Sequence, residues 1–355
     1  MESGSFKVVG GAAIDTYMMY NGMQHAHKYQ ADLYEDTSKL GVTGAKTVSR
    51  EDALSKSYDI VILNSIRDVP LALLYRERHP LAKFMYIDRG NVITNFRKAG
   101  MKRLLPKMML RYKYLLQLKT FLNQYVAITA EQYEMAKDFF DTVKTELHYI
   151  NIAPHKEFRS LGLDRSDGCA IVVGRLDERQ KKMSFLFRGI TRVVSEHPEL
   201  KNQLLLRVVG TGPDENRYKS MVNSLGISTN VVFDGFVRGE PLVTKYNTAR
   251  FLVSTSEWES PGRSFLEAMA CGLPVLLNTK NNAILNYSPV ENVVRDGYNG
   301  VVYAYNDLKD FAEKFYALCH RPALARKLGE HAHSYIKKFS FEHTLKEYES
   351  ILDTM

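Results

Sequence analysis

Short apolar runs alternate with stretches of helical character along almost the whole chain, and this alternation limits the possible folds more than any other feature. The runs in the first half are residues 31–34, 58–64, 84–87, 125–129 and 147–152. A second series comprises residues 170–173, 204–209, 231–233, 251–254, 275–277 and 300–303. Apolar runs separated by helices predict parallel strands covered on both faces. The sequence therefore predicts an α/β fold with two Rossmann-like, doubly wound domains that face each other across a cleft.

The length of 355 residues is too great for one ordinary core and suits two domains of roughly 150 to 180 residues each. A segment with Pro154, Gly162 and several charges, residues 151–166, reads as the linker, and we place the boundary between residues 157 and 158. The closing segment, residues 322–352, is predicted to be wholly helical.

Composition predicts a cytoplasmic protein, because no apolar run approaches the roughly 20 residues of a membrane span and the first residues lack the apolar core of a signal peptide. The cysteines, Cys169, Cys271 and Cys319, lie far apart and without CxxC or Cys/His spacing. They predict neither a zinc site nor a disulfide framework.

The net charge of +8 is concentrated in one segment. Residues 89–130 contain no acidic residue, but they contain Arg89, Arg97, Lys98, Lys102, Arg103, Lys107, Arg111, Lys113 and Lys119. Because Leu, Met, Tyr and Phe are interleaved with these cations, residues 89–122 predict contact with an anionic membrane surface. The alternative is a partly buried helix whose basic side chains reach out to water. Aromatic residues at base spacing are not evident, so no nucleic-acid partner is predicted.

Two carboxylates, Glu259 and Glu267, lie in a segment that reads as strand, loop and helix, with Gly272 and Pro274 ending the helix. In a parallel sheet such a loop lies at the carboxyl edge of the strands, where helix-start amides attract an anion. Carboxylates instead accept hydrogen bonds from hydroxyl groups. A ligand with both phosphates and hydroxyls, such as a nucleotide sugar, fits this pattern.

The same residues have plainer interpretations. Ser264 and Glu267 have the spacing of a capping box, in which the glutamate serves only its own helix. The alternative for Glu259 is a solvated loop carboxylate, and for residues 268–271 it is a small-residue face that packs close to a sheet.

Glycine and basic residues follow other predicted strands. Gly174 is followed by Arg175 and Lys181, which place two cations at one sheet edge as candidate ligands of a pyrophosphate, although a solvated charged turn has the same spacing. Gly210 and Gly212 predict a turn, and taken alone they indicate nothing more. The pair Gly10 and Gly11 precedes a helical stretch and would permit close approach of a ligand. The alternative is that the pair only forms an N-terminal turn.

The motif of residues 256–275 resembles the donor-sugar site of family 4 glycosyltransferases, the retaining, GT-B-fold enzymes of the "glycosyl transferases group 1" type. Gly174-Arg-Leu followed by Gln180-Lys181 resembles the family's phosphate-binding element, except that Lys182 stands where a glycine is usual. The resemblance spans nearly the whole chain, is strong over residues 172–303 and is weak before residue 127.

Three departures concern the first domain. Only nine residues precede Gly10, so the first strand is expected to be short or missing. Asp88-Arg89-Gly90 replaces the histidine that many members carry at this place, and Asn151-Ile-Ala-Pro154 replaces the common Asn-Gly.

The resemblance implies an acceptor-side domain over residues 1–157, a nucleotide-sugar-binding domain over residues 158–330, and a C-terminal helix over residues 331–355 that packs back on the first domain. It assigns Arg175 and Lys181 to the diphosphate, together with the amides around Gly262 and Arg263. Glu259 is assigned to the sugar and Glu267 to the ribose.

Further assignments follow from the same resemblance. Gly174, Gly210 and Gly212 belong to the donor-binding loops, with the last two near the base together with residues 233–236. Pro261 is assigned to donor binding, and Gly262, Arg263 and Ser264 are expected to influence which sugar is accepted. Gly10 and Gly11 lie where donor phosphate and acceptor meet. Where the chain departs from the family's histidine, the residue types themselves suggest that Asp88 orients an acceptor hydroxyl or the donor sugar and that Arg89 binds an anionic acceptor. The alternative is that either residue forms an ordinary ion pair.

The resemblance thus implies a retaining glycosyltransferase that uses no metal and no cofactor beyond its nucleotide-sugar co-substrate, with a UDP-sugar favoured. The basic apolar segment suggests a saccharide or lipid-linked saccharide acceptor at the inner face of the cell membrane, in surface polysaccharide or glycolipid synthesis. Two alternatives remain open: a nucleotide-sugar epimerase of the same fold, and a catalytically silent partner of another glycosyltransferase.

Overall fold

The computed structural model describes residues 5–9, 30–34, 49–88, 92–93, 106–141, 143–150, 153–154, 156–165, 169–257, 259, 262–281 and 293–355. The chain forms two compact units. Unit 1 contains Met1–Ile152 and Glu342–Met355, and unit 2 contains Ala153–Phe341.

Unit 1 is built on a six-stranded parallel sheet. Its strands are β1 Ser5–Val9, β2 Gln30–Tyr34, β3 Ile60–Leu63, β4 Lys83–Asp88, β5 Gln124–Ala127 and β6 Glu146–Tyr149, in the order β2-β1-β3-β4-β5-β6. All five strand pairs are parallel. Its helices before the linker are α1 Arg50–Ser55, α2 Val69–Arg78, α3 Pro106–Lys119 and α4 Ala130–Phe140.

The helix starts in unit 1 follow local sequence signals. The side chain of Ser49 accepts a hydrogen bond from the amide of Asp52 at the start of α1. At the start of α4, Thr129 and Gln132 form a complete capping box, which satisfies two otherwise unpaired amides. The first strand, which the sequence left as short or missing, is present: Ser5–Val9 pairs with both β2 and β3.

Unit 2 contains a second six-stranded parallel sheet. Its strands are β7 Ala170–Val173, β8 Leu206–Val209, β9 Val231–Gly235, β10 Phe251–Val253, β11 Val275–Asn278 and β12 Gly300–Tyr303, in the order β12-β11-β10-β7-β8-β9. This is the strand order of a Rossmann sheet, and it reverses direction between β7 and β10. Ligands of such sheets bind at the carboxyl ends of the strands at this switch point.

Helices cover the second sheet and close the chain. They are α5 Glu178–Lys181, α6 Met183–Glu196, α7 Glu215–Ser224, α8 Glu240–Thr248, α9 Arg263–Ala270, α10 Leu308–His320, α11 Pro322–Ile336 and α12 Phe341–Thr354. The core of unit 2 is rich in aromatic side chains, with Phe311 in contact with Phe185, Tyr303 and Phe315.

The end of the chain divides differently from the prediction. Residues 331–355 were expected to pack back on the first domain as one helix, but the closing segment is broken into α11 and α12. Helix α11 remains in unit 2, because Ala325, Leu328 and Ala332 are buried and Gly329 passes close to the backbone of Gly272. Only residues 342–355 belong to unit 1.

Within the described parts of the chain, no helix is both long and apolar enough to span a membrane.

Candidate functional site

Two loops meet at the switch point of the sheet in unit 2, one after β7 and one after β10. The hydroxyl of Thr255 donates to the carbonyl of Lys181 at 2.7 Å, and the amide of Glu257 donates to the carbonyl of Gln180 at 3.1 Å. These bonds bring the Gly174–Lys182 segment and the segment around Glu259 to one place, as the sequence predicted for a ligand site at this edge.

At the centre of this site Lys181 and Glu259 form an ion pair. Lys181 Nζ lies 2.5 Å from Glu259 Oε1, and the two side chains are only 13% and 9% exposed. The lysine side chain lies across Gly174, where an added Cβ would be 3.0 Å from Lys181 Cε. Because Gly174 also has φ 151°, which side chains rarely adopt, both the backbone and the space at this position favour glycine. A lysine keeps two further N–H donors after such a bond.

Arg175 directly follows Gly174 and gives the same loop a second cation, whose charge also acts on Asp177. Its side chain is exposed and forms no hydrogen bond or ion pair with the residues that the structure describes. Its guanidinium is therefore available to an anionic ligand, whereas Lys181 has to share its charge with Glu259.

The loops after β7, β8 and β9 are held against one another. Gly210 donates its amide to the carbonyl of Gly235 at 2.7 Å, and an added Cβ on Gly210 would stand 2.0 Å from the carbonyl oxygen of Gly174. An added Cβ on Gly212 would stand 2.3 Å from the carbonyl oxygen of Leu176. Phe236, which follows directly after β9, has an exposed ring. The turn at residues 210–212 therefore packs tightly against the other loops that border the site.

The other predicted carboxylate, Glu267, is buried in helix α9. It accepts a hydrogen bond from the hydroxyl of Tyr246 at 2.9 Å. Burial raises the pKa of Glu267 to about 7, against the opposing influence of the Arg263 charge and the Tyr246 hydrogen bond. The capping-box interpretation is wrong, because α9 begins at Arg263 with Gly262 as its N-cap and without a side-chain cap. Ser264 is inside the helix.

Asp88 lies in unit 1, at the end of β4, and is fully buried. One carboxylate oxygen accepts from the hydroxyl of Tyr125 at 2.8 Å and the other from the amide of Val92 at 3.2 Å. Its carbonyl accepts from the side chain of Gln132 at 2.8 Å. These contacts tie β4 to β5 and α4, and the predicted contact of Asp88 with a substrate stays a prediction.

Four of the predicted site residues, Gly10, Gly11, Arg89 and Pro261, fall outside the described residues. In the described parts of the chain, no three His, Cys, Asp or Glu side chains are grouped so as to hold a metal ion.

Sequence reasoning missed the residues that support the site. Tyr246, which bonds Glu267, lies on a helix that was not predicted, and its role depends on a contact between α8 and α9 that no spacing reveals. Glu257 and Thr255 carry a weak signal, since they precede Glu259 in the same loop.

A family model described as "Glycosyl transferases group 1" matches residues 155–335, about half of the chain. Among sequence relatives, a D-inositol 3-phosphate glycosyltransferase of Streptomyces bingchenggensis (strain BCW-1) is 28% identical over 188 residues, covering 51% of this chain and 39% of the relative. A second protein of that name, from Thermobifida fusca (strain YX), is covered to 43%. The chain therefore spans about two fifths of the length of these curated relatives.

Solved structures match nearly the full length of the chain at lower identity. The structure of HepE from Anabaena in complex with UDP-glucose has a TM-score of 0.76 at 13% identity, covering 99% of this chain and 100% of that one. Sucrose-phosphate synthase from Thermosynechococcus elongatus has a TM-score of 0.75 at 16% identity, covering 99% and 98%. At such identities the likeness shows the fold alone, and it confirms the predicted GT-B class with two doubly wound domains.

Proposed function

Because this chain belongs to the glycosyl transferases group 1 family, we propose that it moves a sugar from a UDP-sugar to a hydroxyl group of a saccharide acceptor. The family resemblance that the sequence predicted is thereby confirmed. The observation that carries the proposed activity is the buried pair Lys181–Glu259 at the switch point of the unit 2 sheet. Support for UDP comes from the structural neighbour HepE, which was solved with UDP-glucose.

Arg175 and Lys181 hold the diphosphate of the donor. Breaking a sugar–phosphate bond leaves negative charge on the departing nucleotide, and fixed cations in a partly dry site stabilise that charge. Lys181 is well suited to this role because Glu259 fixes its ammonium group while two N–H donors remain for phosphate oxygens. This stabilisation by side chains requires no metal ion.

Glu259 and Glu267 accept hydrogen bonds from hydroxyl groups of the donor, the first from the sugar and the second from the ribose. Glu259 has a second carboxylate oxygen beyond the one that contacts Lys181. The exposed ring of Phe236, beside the Gly210 turn, offers a stacking surface to the base.

The transfer retains the configuration of the anomeric carbon. The leaving phosphate stays beside this carbon and takes the proton of the incoming hydroxyl, so that no enzymic nucleophile is required. Arg175 and Lys181 keep the phosphate in place during this exchange.

The acceptor is a lipid-linked saccharide at an anionic membrane surface, as in surface polysaccharide or glycolipid synthesis. Helix α3 supports this proposal, because Met109, Leu110 and Leu116 are 59%, 48% and 45% exposed on a helix that also carries exposed Arg111 and Lys113. Exposed apolar side chains next to cations suit the headgroup region of such a membrane.

The test is nucleotide release from UDP-, GDP- and ADP-sugars, with and without a lipid extract, by the full chain and its variants. We expect release from the UDP-sugar alone, a rise with lipid, and a loss of at least about a hundredfold in Glu259→Gln and Lys181→Met. Glu196→Gln, which breaks an exposed ion pair with Arg192 on α6, is the matched control and should turn over normally.

Near-normal turnover in Glu259→Gln or Lys181→Met would remove that residue from the mechanism. A sugar that is altered at one carbon without transfer would identify an epimerase instead. Absence of release from every donor would favour a catalytically silent partner.

A further inference from the structure

A cavity of about 270 Å³ lies in unit 2, next to the loops of the donor site. It is lined by residues that neighbour the proposed donor ligands in sequence: Lys182 follows Lys181, and Glu257 precedes Glu259 by two positions. Arg188, Asn278, Tyr305 and Asn306 also line it. We call it the Lys182 cavity.

Two cations, Lys182 and Arg188, line this cavity, and a third, Lys280, lies near the lining residue Glu257. Lys182 Nζ lies 3.6 Å and Lys280 Nζ 3.7 Å from the same oxygen, Glu257 Oε1. Lys280 Nζ also donates a long hydrogen bond, of 3.5 Å, to the hydroxyl of Tyr305. Arg188 is exposed and has no hydrogen bond or ion pair with any residue that the structure describes. Lysine and arginine side chains only donate hydrogen bonds, so these cations can still donate to the acceptor atoms of a ligand.

The two carboxylates that line the cavity, Glu178 and Glu257, are both held by hydrogen bonds to other residues. Glu257 accepts a hydrogen bond from the Tyr305 hydroxyl, which, with the two lysines, lowers the pKa of Glu257. Glu178 accepts from the amide of Ser184 at 3.1 Å and from the hydroxyl of Tyr218 at 2.9 Å, so it is held within unit 2. Lys182 and Lys280 therefore share Glu257, which already accepts a hydrogen bond from Tyr305, and Arg188 forms an ion pair with neither lining carboxylate.

The backbone at the rim is strained. Among the described non-glycine residues, only Lys182 and Asn306 have positive φ, of 50° and 62°. Both line this cavity. Strained residues of this kind concentrate at ligand sites, where the surrounding structure holds them in place. At position 182 a glycine would adopt this backbone conformation without strain, but the chain has a lysine there.

We propose that the Lys182 cavity is an anion-binding site, distinct from the donor site, that takes a phosphate group. Lys182 and Arg188 bind the phosphate oxygens and Lys280 adds positive charge at the rim, while Glu257 limits the affinity by competing for both lysines. This proposal goes beyond sugar transfer, and its test does not require activity.

The test is calorimetric titration of the full chain, at low salt, with inorganic phosphate, mannose 6-phosphate and mannose. We expect both phosphates to bind and mannose not to bind. Lys182→Gly relieves the backbone strain but removes the charge, and should weaken phosphate binding about tenfold. Asn306→Gly relieves strain in the same cavity without a charge change, and its affinity should stay within about twofold of the parent.

Glu257→Gln gives the opposite expectation: it keeps an acceptor for Tyr305 and removes the competing charge, so phosphate binding should tighten severalfold. Unchanged affinity in Lys182→Gly, or weaker binding in Glu257→Gln, would overturn the site. So would failure of the wild-type chain to bind either phosphate at millimolar concentration. Repeating the titration with UDP present distinguishes the two sites, since UDP should leave the Lys182-dependent binding in place.

The two phosphate probes identify the source of the anion. Mannose 6-phosphate that binds at least about tenfold more tightly than inorganic phosphate would show that the phosphate is carried on a sugar. Equal affinities would show that free phosphate suffices. Either result supports the cavity as an anion site, provided that the Lys182→Gly dependence holds.

Discussion

The pair Lys181–Glu259 joins two residues that the sequence assigned to different parts of the donor. Since both side chains are largely buried, removing one charge leaves the other without its partner in a partly dry site. We expect Lys181→Met and Glu259→Gln each to lower the free energy of unfolding by about 1 to 3 kcal/mol. The double variant should lose less than the sum of the two, because no unpaired charge remains. Urea unfolding of the four proteins measures this coupling; strict additivity would contradict it.

Glu267 predicts a pH dependence of stability. Burial raises the pKa of its carboxyl from 4.5 to about 7, so folding favours the protonated form. The stabilisation is fully present below pH 4.5 and is lost as the pH rises through about 7. Relative to Glu267→Gln, the wild-type chain should lose about 3 kcal/mol of unfolding free energy across this window. Thermal unfolding of both proteins at several pH values tests this, and parallel curves would show that the carboxyl titrates normally.

At the scale of the loops, the close approach of Gly210 to Gly174 predicts a large effect of one methyl group. An alanine at position 210 would place its Cβ 2.0 Å from the carbonyl oxygen of Gly174, so the two loops would have to separate. Gly226→Ala is the matched control, since Gly226 has φ +69° but no atom within 4 Å of an added Cβ. We expect Gly210→Ala to be less stable than Gly226→Ala by about 2 kcal/mol or more in denaturant unfolding. Equal losses would contradict a steric cause.

The strained loop residues predict stabilising substitutions. Lys182 has a left-handed backbone conformation, which is unfavourable for a residue with a side chain but not for glycine. Lys182→Gly should therefore raise the free energy of unfolding by about 1 kcal/mol. Asn306→Gly should give less, because asparagine tolerates this conformation better. Thermal unfolding of both variants decides this. A loss of stability in Lys182→Gly would show that its contact with Glu257 outweighs the strain.

The sequence located most strands because buried parallel strands are continuous apolar runs. Ala170–Val173 and Gly300–Tyr303 agree to the residue. Strand Ser5–Val9 escaped notice because it is short, contains Lys7, and is defined by pairing with strands far along the chain. Helix Glu240–Thr248 was missed because Pro241 and two threonines weaken its helical signal.

The residues of the candidate site could also be predicted only in part from the sequence. Spacing after strands indicated Arg175, Lys181, Glu259 and Glu267, because a parallel sheet brings its loops to one edge. The contact of Lys181 with Glu259 and the bond from Tyr246 to Glu267 required the tertiary structure, since each partner lies on a different element.

At the scale of the whole molecule, charge and apolar exposure coincide on one helix. Residues 89–130 hold no acidic side chain although the chain as a whole has 40 Asp and Glu. Within the described part of this segment, Leu115 and Leu118 of α3 are buried in unit 1 while Met109 and Leu116 are exposed. Helix α3 is therefore partly buried, as one sequence interpretation expected. Its exposed face is still available for the membrane contact that the other interpretation proposed.

This arrangement predicts salt-sensitive binding of the full chain to vesicles. We expect sedimentation with anionic phosphatidylglycerol vesicles at low salt, release as salt screens the attraction, and no binding to neutral phosphatidylcholine vesicles. Met109→Ser with Leu116→Ser, or Lys113→Gln alone, should weaken binding about fivefold or more, since each removes part of the apolar or charged contact. Leu81→Ser is the matched control, because Leu81 is 93% exposed in the same unit but lies outside helix α3. Equal losses in Leu81→Ser, or no sedimentation at low salt, would remove α3 as the membrane contact and leave the lipid-linked acceptor without structural support.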